Sequence, residues 1–179
     1  MYEVFFVILC RENQTEYLIM KYVNESVVFA EIPDEVTLAI NISNCPCRCP
    51  GCHSKFLWGD IGEELTHRKL DEMIMKYDTE LTCVAFMGGD ASIDSLNDAA
   101  MYLKNIHPNL KVAWYSGRTV MNSAINQRIF DYIKVGPYIG HLGPLDKPTT
   151  NQRLYRKTRD GEWEDITSRF WEKGNRCLF

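Results

Sequence analysis

Four of the seven cysteines in this 179-residue chain stand within eight positions: Cys45-Pro46-Cys47-Arg48-Cys49-Pro50-Gly51-Cys52. Soft thiolates at that density select zinc, copper(I) or iron–sulfur clusters over hard cations. One subset, Cys45, Cys49 and Cys52, has the spacing C-x3-C-x2-C. Three thiolates on one tight loop can hold three irons of a cubane 4Fe-4S cluster and leave the fourth without a protein ligand. An open metal position points to chemistry at the metal, because structural sites are usually closed. Cys47 is then an extra, redox-sensitive thiol. The bland alternative is structural zinc, drawing on Cys45, Cys47, Cys49, Cys52 or His53. Zinc knuckles pair ligands from two separated elements, yet Cys10, Cys83 and Cys177 are isolated.

The cysteines follow an apolar run, Val36–Ile42, that reads as a strand with both faces covered. Two more runs end in small polar groups: Leu81–Met87 before Gly88-Gly89-Asp90, and Leu110–Tyr115 before Ser116-Gly117. A fourth strand is expected at Tyr132–Val135. Between them, Thr66 is placed to cap a helix with Leu70, Met73, Ile74 and Tyr77 on one face. Ser92 or Asp94 is placed to cap a second, with Leu96, Ala99, Ala100, Leu103 and Ile106 inward. A weaker third helix is expected from about Thr119 to Gln127. Alternating strands and helices imply a parallel sheet, and four such strands are too few for a closed eight-stranded barrel. In parallel α/β sheets the chemistry gathers at the carboxyl ends of the strands, so the three motifs should meet at one edge. Further strands are expected at Met1–Cys10 and Val27–Ala30, and a hairpin from Arg153–Arg156 with Trp163–Ile166. The expectation is one domain over 1–179, with 1–19 a possible N-terminal extension and 140–179 irregular.

The stretch Asn44–Trp58 resembles the cysteine loop of radical S-adenosylmethionine enzymes. Together with Asp131–Ile139 and Leu145–Tyr155 it is similar to the glycyl-radical activases that serve anaerobic ribonucleotide reductase. The likeness spans roughly Lys21 to Tyr155. It implies a short, open (partial) parallel β/α barrel of the radical S-adenosylmethionine type. It also implies a 4Fe-4S cluster on Cys45, Cys49 and Cys52, and S-adenosyl-L-methionine at its open iron. By the same likeness Gly51, Cys52 and His53 touch the adenosyl part through their backbone. Gly88-Gly89-Asp90 stands where the family has Gly-Gly-Glu and would hold the methionyl ammonium; Asp is one methylene shorter. Ser116 would touch the methionyl carboxylate or the ribose, with Arg118 beside it. Asn151-Gln152-Arg153 would face a partner or anchor its own loop. No side chain is required as general acid or base; the chemistry is the cofactor's. The implied partners are the large subunit of anaerobic ribonucleoside-triphosphate reductase, as protein substrate, and an electron donor such as flavodoxin or ferredoxin. The alternatives are an activase for another glycyl radical enzyme, of the formate-lyase type, and a non-catalytic zinc or iron–sulfur binding module.

Composition narrows the field further. A net charge of −4 leaves no basic footprint for nucleic acid. The apolar stretch Val4–Cys10 is bounded by Glu3 and Arg11 and falls far short of the ~20 residues of a membrane span. The expected compartment is the cytoplasm, where thiols stay reduced and a cysteine cluster reads as metal or catalysis.

Overall fold

The computed structural model describes residues 19–77 and 80–171. The strand expected at Met1–Cys10, most of the 1–19 extension, Cys10 and Cys177 lie outside the described residues. Among the described residues, eight strands form one mixed sheet: β1 (Lys21–Val28), β2 (Thr37–Ile42), β3 (Glu63–Glu64), β4 (Cys83–Met87), β5 (Lys111–Tyr115), β6 (Tyr132–Val135), β7 (Arg153–Lys157) and β8 (Trp163–Asp165). Their spatial order is β3-β1-β2-β4-β5-β6-β7-β8. The four central strands β2, β4, β5 and β6 run parallel; β1 and β3 flank them antiparallel on one side, β7 and β8 on the other.

Two helices make the crossovers β2-to-β4 and β4-to-β5: α1 (His67–Tyr77) and α2 (Ile93–Ile106). Thr66 caps α1, its Oγ1 accepting from the Lys69 N–H at 3.2 Å, as N-terminal caps do for orphan donors. Ser92 occupies the cap position of α2 but makes no side-chain cap bond. Ile106, expected inward, is 56% exposed, because it is the last helical residue and turns past the core. No third helix forms between β5 and β6. That segment is a run of turns closing in a short 3-10 turn, Gln127–Ile129, capped by Asn126. Its apolar residues, too sparse for a continuous face, instead send Ile125, Ile129 and Phe130 into the core. The first strand is longer than expected and starts earlier, at Lys21, and Phe29 lies beyond its end, exposed.

Alternation along the parallel strands separates two cores. One face packs Leu38, Ile40, Ile42, Val84, Phe86, Val112, Trp114 and Ile133 against the helices through Leu70, Met73, Leu96 and Leu103. The opposite face carries small residues at its centre, Ala85 and Ala113, with Cys83, Tyr132 and Leu154, and is covered by Ile32, Ile166 and Phe170. At the carboxyl end of that second face the packing gives way to a cavity.

Candidate metal centre

Pairing register sets up the floor of this cavity. Asn41 pairs Met87, Met87 pairs Tyr115, and Tyr115 pairs Lys134, so one row crosses all four parallel strands. All four residues line the cavity, which holds about 240 Å³ and is walled by Cys45, Cys47, Cys49, Cys52, Leu57, Trp58, Gly88, Asp90, Ser116 and Gly117, among others.

The cysteine loop is tied at its base. The Asn44 N–H donates to the Gly59 carbonyl at 2.9 Å and the Cys45 N–H to the Leu57 carbonyl at 2.9 Å, while Leu57 is buried beneath. The Cys52 N–H donates to the Cys49 carbonyl at 3.0 Å, closing the turn that brings those two thiols round. All four loop cysteines are free thiols. Cys45 and Cys47 share a hydrogen bond, which pulls the Cys45 thiol below its ordinary value and drives Cys47 far above it. Cys47 leans over Gly117: a Cβ at that glycine would lie 2.7 Å from its sulfur. Among the described residues no three side chains of His, Cys, Asp or Glu converge tightly enough to hold a single metal ion. Four free thiols on the wall of one cavity supply the sulfur-rich donor set that an iron–sulfur cluster takes.

The strand-end motifs reach the same cavity. Gly88 has φ +116°, and a Cβ there would come within 3.1 Å of the Ile42 carbonyl oxygen. Its carbonyl accepts from Trp114 Nε1 at 2.8 Å and its N–H donates to the Tyr115 carbonyl at 3.0 Å. Asp90 is almost fully buried. Ser116 Oγ donates to its Oδ1 at 2.5 Å, the Gly117 N–H donates to Oδ2 at 3.1 Å, and Arg118 Nε lies 3.6 Å from Oδ1. The acid and the serine therefore form one buried unit at the ends of β4 and β5, with Arg118 half-exposed beside it.

The structure thus brings Cys45, Cys49, Cys52, Gly88, Asp90 and Ser116 together around one space. Gly51, His53 and Gly89 are not on its wall. Gly51 and His53 both stand against Tyr138, the His53 ring tilted with centroids 5.3 Å apart, and Tyr138 itself faces the cavity. Gly89 backs onto Met20 and Leu96. In the 151–153 segment, Asn151 Nδ2 donates to the Pro137 carbonyl and Arg153 Nη1 to the Thr150 and Gln152 carbonyls, so this loop anchors itself; Gln152 lines the cavity.

The residue that sequence reasoning passed over is Lys134. It is buried, and Nζ donates to the Gly136 carbonyl at 2.6 Å and the Ser116 carbonyl at 3.4 Å. Burial lowers its pKa to about 8, while Cys49, Asp90, Cys47 and Cys45 pull in the opposite direction. The signal was present: one cation inside the otherwise apolar run Tyr132-Ile133-Lys134-Val135.

Compared with known families, residues 36–152 match the sequence profile described as a 4Fe-4S single cluster domain. That span holds the cysteine loop and all four parallel strands. No curated protein and no solved structure matches the chain. No helix among the described residues is long and apolar enough to cross a membrane.

Proposed function

Because the chain belongs to the 4Fe-4S single cluster domain family, we propose that it is a radical S-adenosylmethionine oxidoreductase, the activase of an anaerobic ribonucleoside-triphosphate reductase. The observation that carries this reading is the meeting of the C-x3-C-x2-C thiols with a buried carboxylate–hydroxyl unit at adjoining strand ends, around one cavity. In this reading the sheet is the short, open barrel of that superfamily, and the cavity is its mouth.

Cys45, Cys49 and Cys52 would hold three irons of one 4Fe-4S cluster, which when reduced would supply the one electron for cleavage of S-adenosylmethionine to methionine and a 5′-deoxyadenosyl radical, and that radical would take a hydrogen atom from a glycine Cα of the reductase. The work left to the chain is binding and orientation. An amino-acid end carries an ammonium and a carboxylate side by side. Asp90 and Arg118 offer the complementary pair, 3.6 Å apart. Ser116 and the Gly117 N–H fix the Asp90 carboxylate in place, so that it meets the ammonium already oriented. Asp90 reaches one methylene less far than Glu, and a bridging water can span the difference. Leu57, Met87 and Tyr115 give the space an apolar side on which the thioether and methylene part of the cofactor can pack. The partner glycine belongs to a loop of another protein, for which an open cavity is better suited than an enclosed one; the electron comes from a donor such as flavodoxin or ferredoxin.

Anaerobic reconstitution with iron and sulfide, followed by reduction in the presence of S-adenosylmethionine, tests the reading. The expected products are methionine and 5′-deoxyadenosine. With the reductase present, a glycyl radical signal should appear that requires this chain. Fully reconstituted protein that yields no 5′-deoxyadenosine would overturn the enzyme assignment. Activation of a formate-lyase-type enzyme in place of the reductase would reassign the partner.

A further inference from the structure

We propose that Lys134 is the built-in counter-charge of the iron–sulfur cluster, raising its reduction potential through space without ligating iron. The inference rests on the cluster alone and not on the S-adenosylmethionine chemistry or the protein substrate.

The geometry is specific. Lys134 is the last member of the register row Asn41–Met87–Tyr115–Lys134 that floors the cavity. Its stem crosses the second sheet face, and its ammonium lies 5.8 Å from the Tyr115 ring centroid. Two main-chain carbonyls, of Gly136 and Ser116, hold it from behind. An ammonium has three donors, and those carbonyls account for two. Among the described residues Lys134 makes no salt bridge; the negative groups within its electrostatic reach are Cys49, Asp90, Cys47 and Cys45. Asp90 is already engaged by Ser116, Gly117 and Arg118. A buried cation with no committed anion is costly to keep, and the charge that would answer it is a thiolate-ligated cluster.

The consequence follows from charge. Taking up an electron adds one negative charge to a cluster that three thiolates already make negative. A fixed positive charge nearby, in a site poorly screened by water, stabilises the reduced form more than the oxidised one. Net charge and hydrogen bonding around the sulfurs are among the levers that set iron–sulfur potentials.

The test is an anaerobic redox titration of the reconstituted full chain, without S-adenosylmethionine, followed by visible absorbance and electron paramagnetic resonance. Lys134→Gln keeps donors for the two carbonyls and removes the charge; Lys134→Met removes both; Lys134→Arg keeps the charge. The expected result is a reduction equilibrium at least tenfold less favourable in the Gln and Met variants, a shift of about 59 mV to lower potential for a one-electron couple. The Arg variant should titrate near the wild type. Gln and Met variants that titrate with the wild type would overturn the proposal. So would loss of iron from both while the Arg variant keeps it, which would make Lys134 an assembly residue. Wild-type protein that binds no iron would instead remove the cluster assignment itself, an outcome told apart by iron and sulfide analysis before any titration.

Discussion

At the scale of single residues, the cysteine loop divides its thiols by environment and not only by spacing. The hydrogen bond that Cys45 and Cys47 share lowers the Cys45 thiol and raises that of Cys47, which leans over Gly117. Cys45→Ala, Cys49→Ala and Cys52→Ala should each abolish the four-iron cluster, read as loss of iron, sulfide and visible absorbance after reconstitution. Cys47→Ala should keep the cluster. A Cys47→Ala protein without iron, beside a Cys45→Ala protein that retains it, would exchange the roles of the two thiols. The sequence could nominate the three-cysteine set but not this division, because the polarisation of one thiol by another depends on where the loop folds them.

Among the elements, the parallel strands were legible because their residues are apolar on both faces and end in Gly or Ser. β6 was read to the residue, and β2, β4 and β5 to within two. The hairpin of β7 and β8 was legible from its turn residues and forms as an antiparallel pair. What the pattern hid was the segment between β5 and β6, where helical spacing in a short polar stretch lost to the pull of three apolar side chains on the core. It also hid the cavity floor, since a register row across four strands is a property of pairing and not of any one stretch. Gly88 shows how closely the strand ends are fitted. With φ at +116° and the Ile42 carbonyl oxygen 3.1 Å from where a Cβ would lie, Gly88→Ala combines backbone strain with a close contact to main chain. It should destabilise the protein by roughly 1–3 kcal/mol, read as a lower urea midpoint at unchanged slope. A Gly88→Ala protein as stable as the wild type would mean this turn tolerates a side chain.

Over the whole molecule, the helical layer carries its own polar clamp. Asp71 of α1 accepts from Tyr102 of α2 at 2.6 Å and meets His107, just past the end of α2, at 2.9 Å. His67 stacks on Tyr102 with centroids 4.0 Å apart and reaches Asp98 at 2.8 Å. The hydrogen bond to His107, then that from Tyr102, holds Asp71 below the ordinary carboxylate value of 3.8. A carboxylate depressed in the folded state contributes stability that is present above its unfolded value and lost as pH falls through the folded one. The expectation is a loss of stability below pH 3.8 that Asp71→Asn makes shallower, measured as urea midpoints against pH. Equal slopes in the two proteins would leave the clamp without a part in acid unfolding.

The outermost strands have a consequence for how this molecule meets others. Among the described residues, the sheet ends on one side at Glu63 and Glu64 and on the other at Trp163, Glu164 and Asp165. Both border strands are short, and carboxylates on both are paired within the chain, Glu63 with Lys69, Glu164 with Arg156 and Asp165 with Arg153, so each offers a second sheet few backbone groups to pair with.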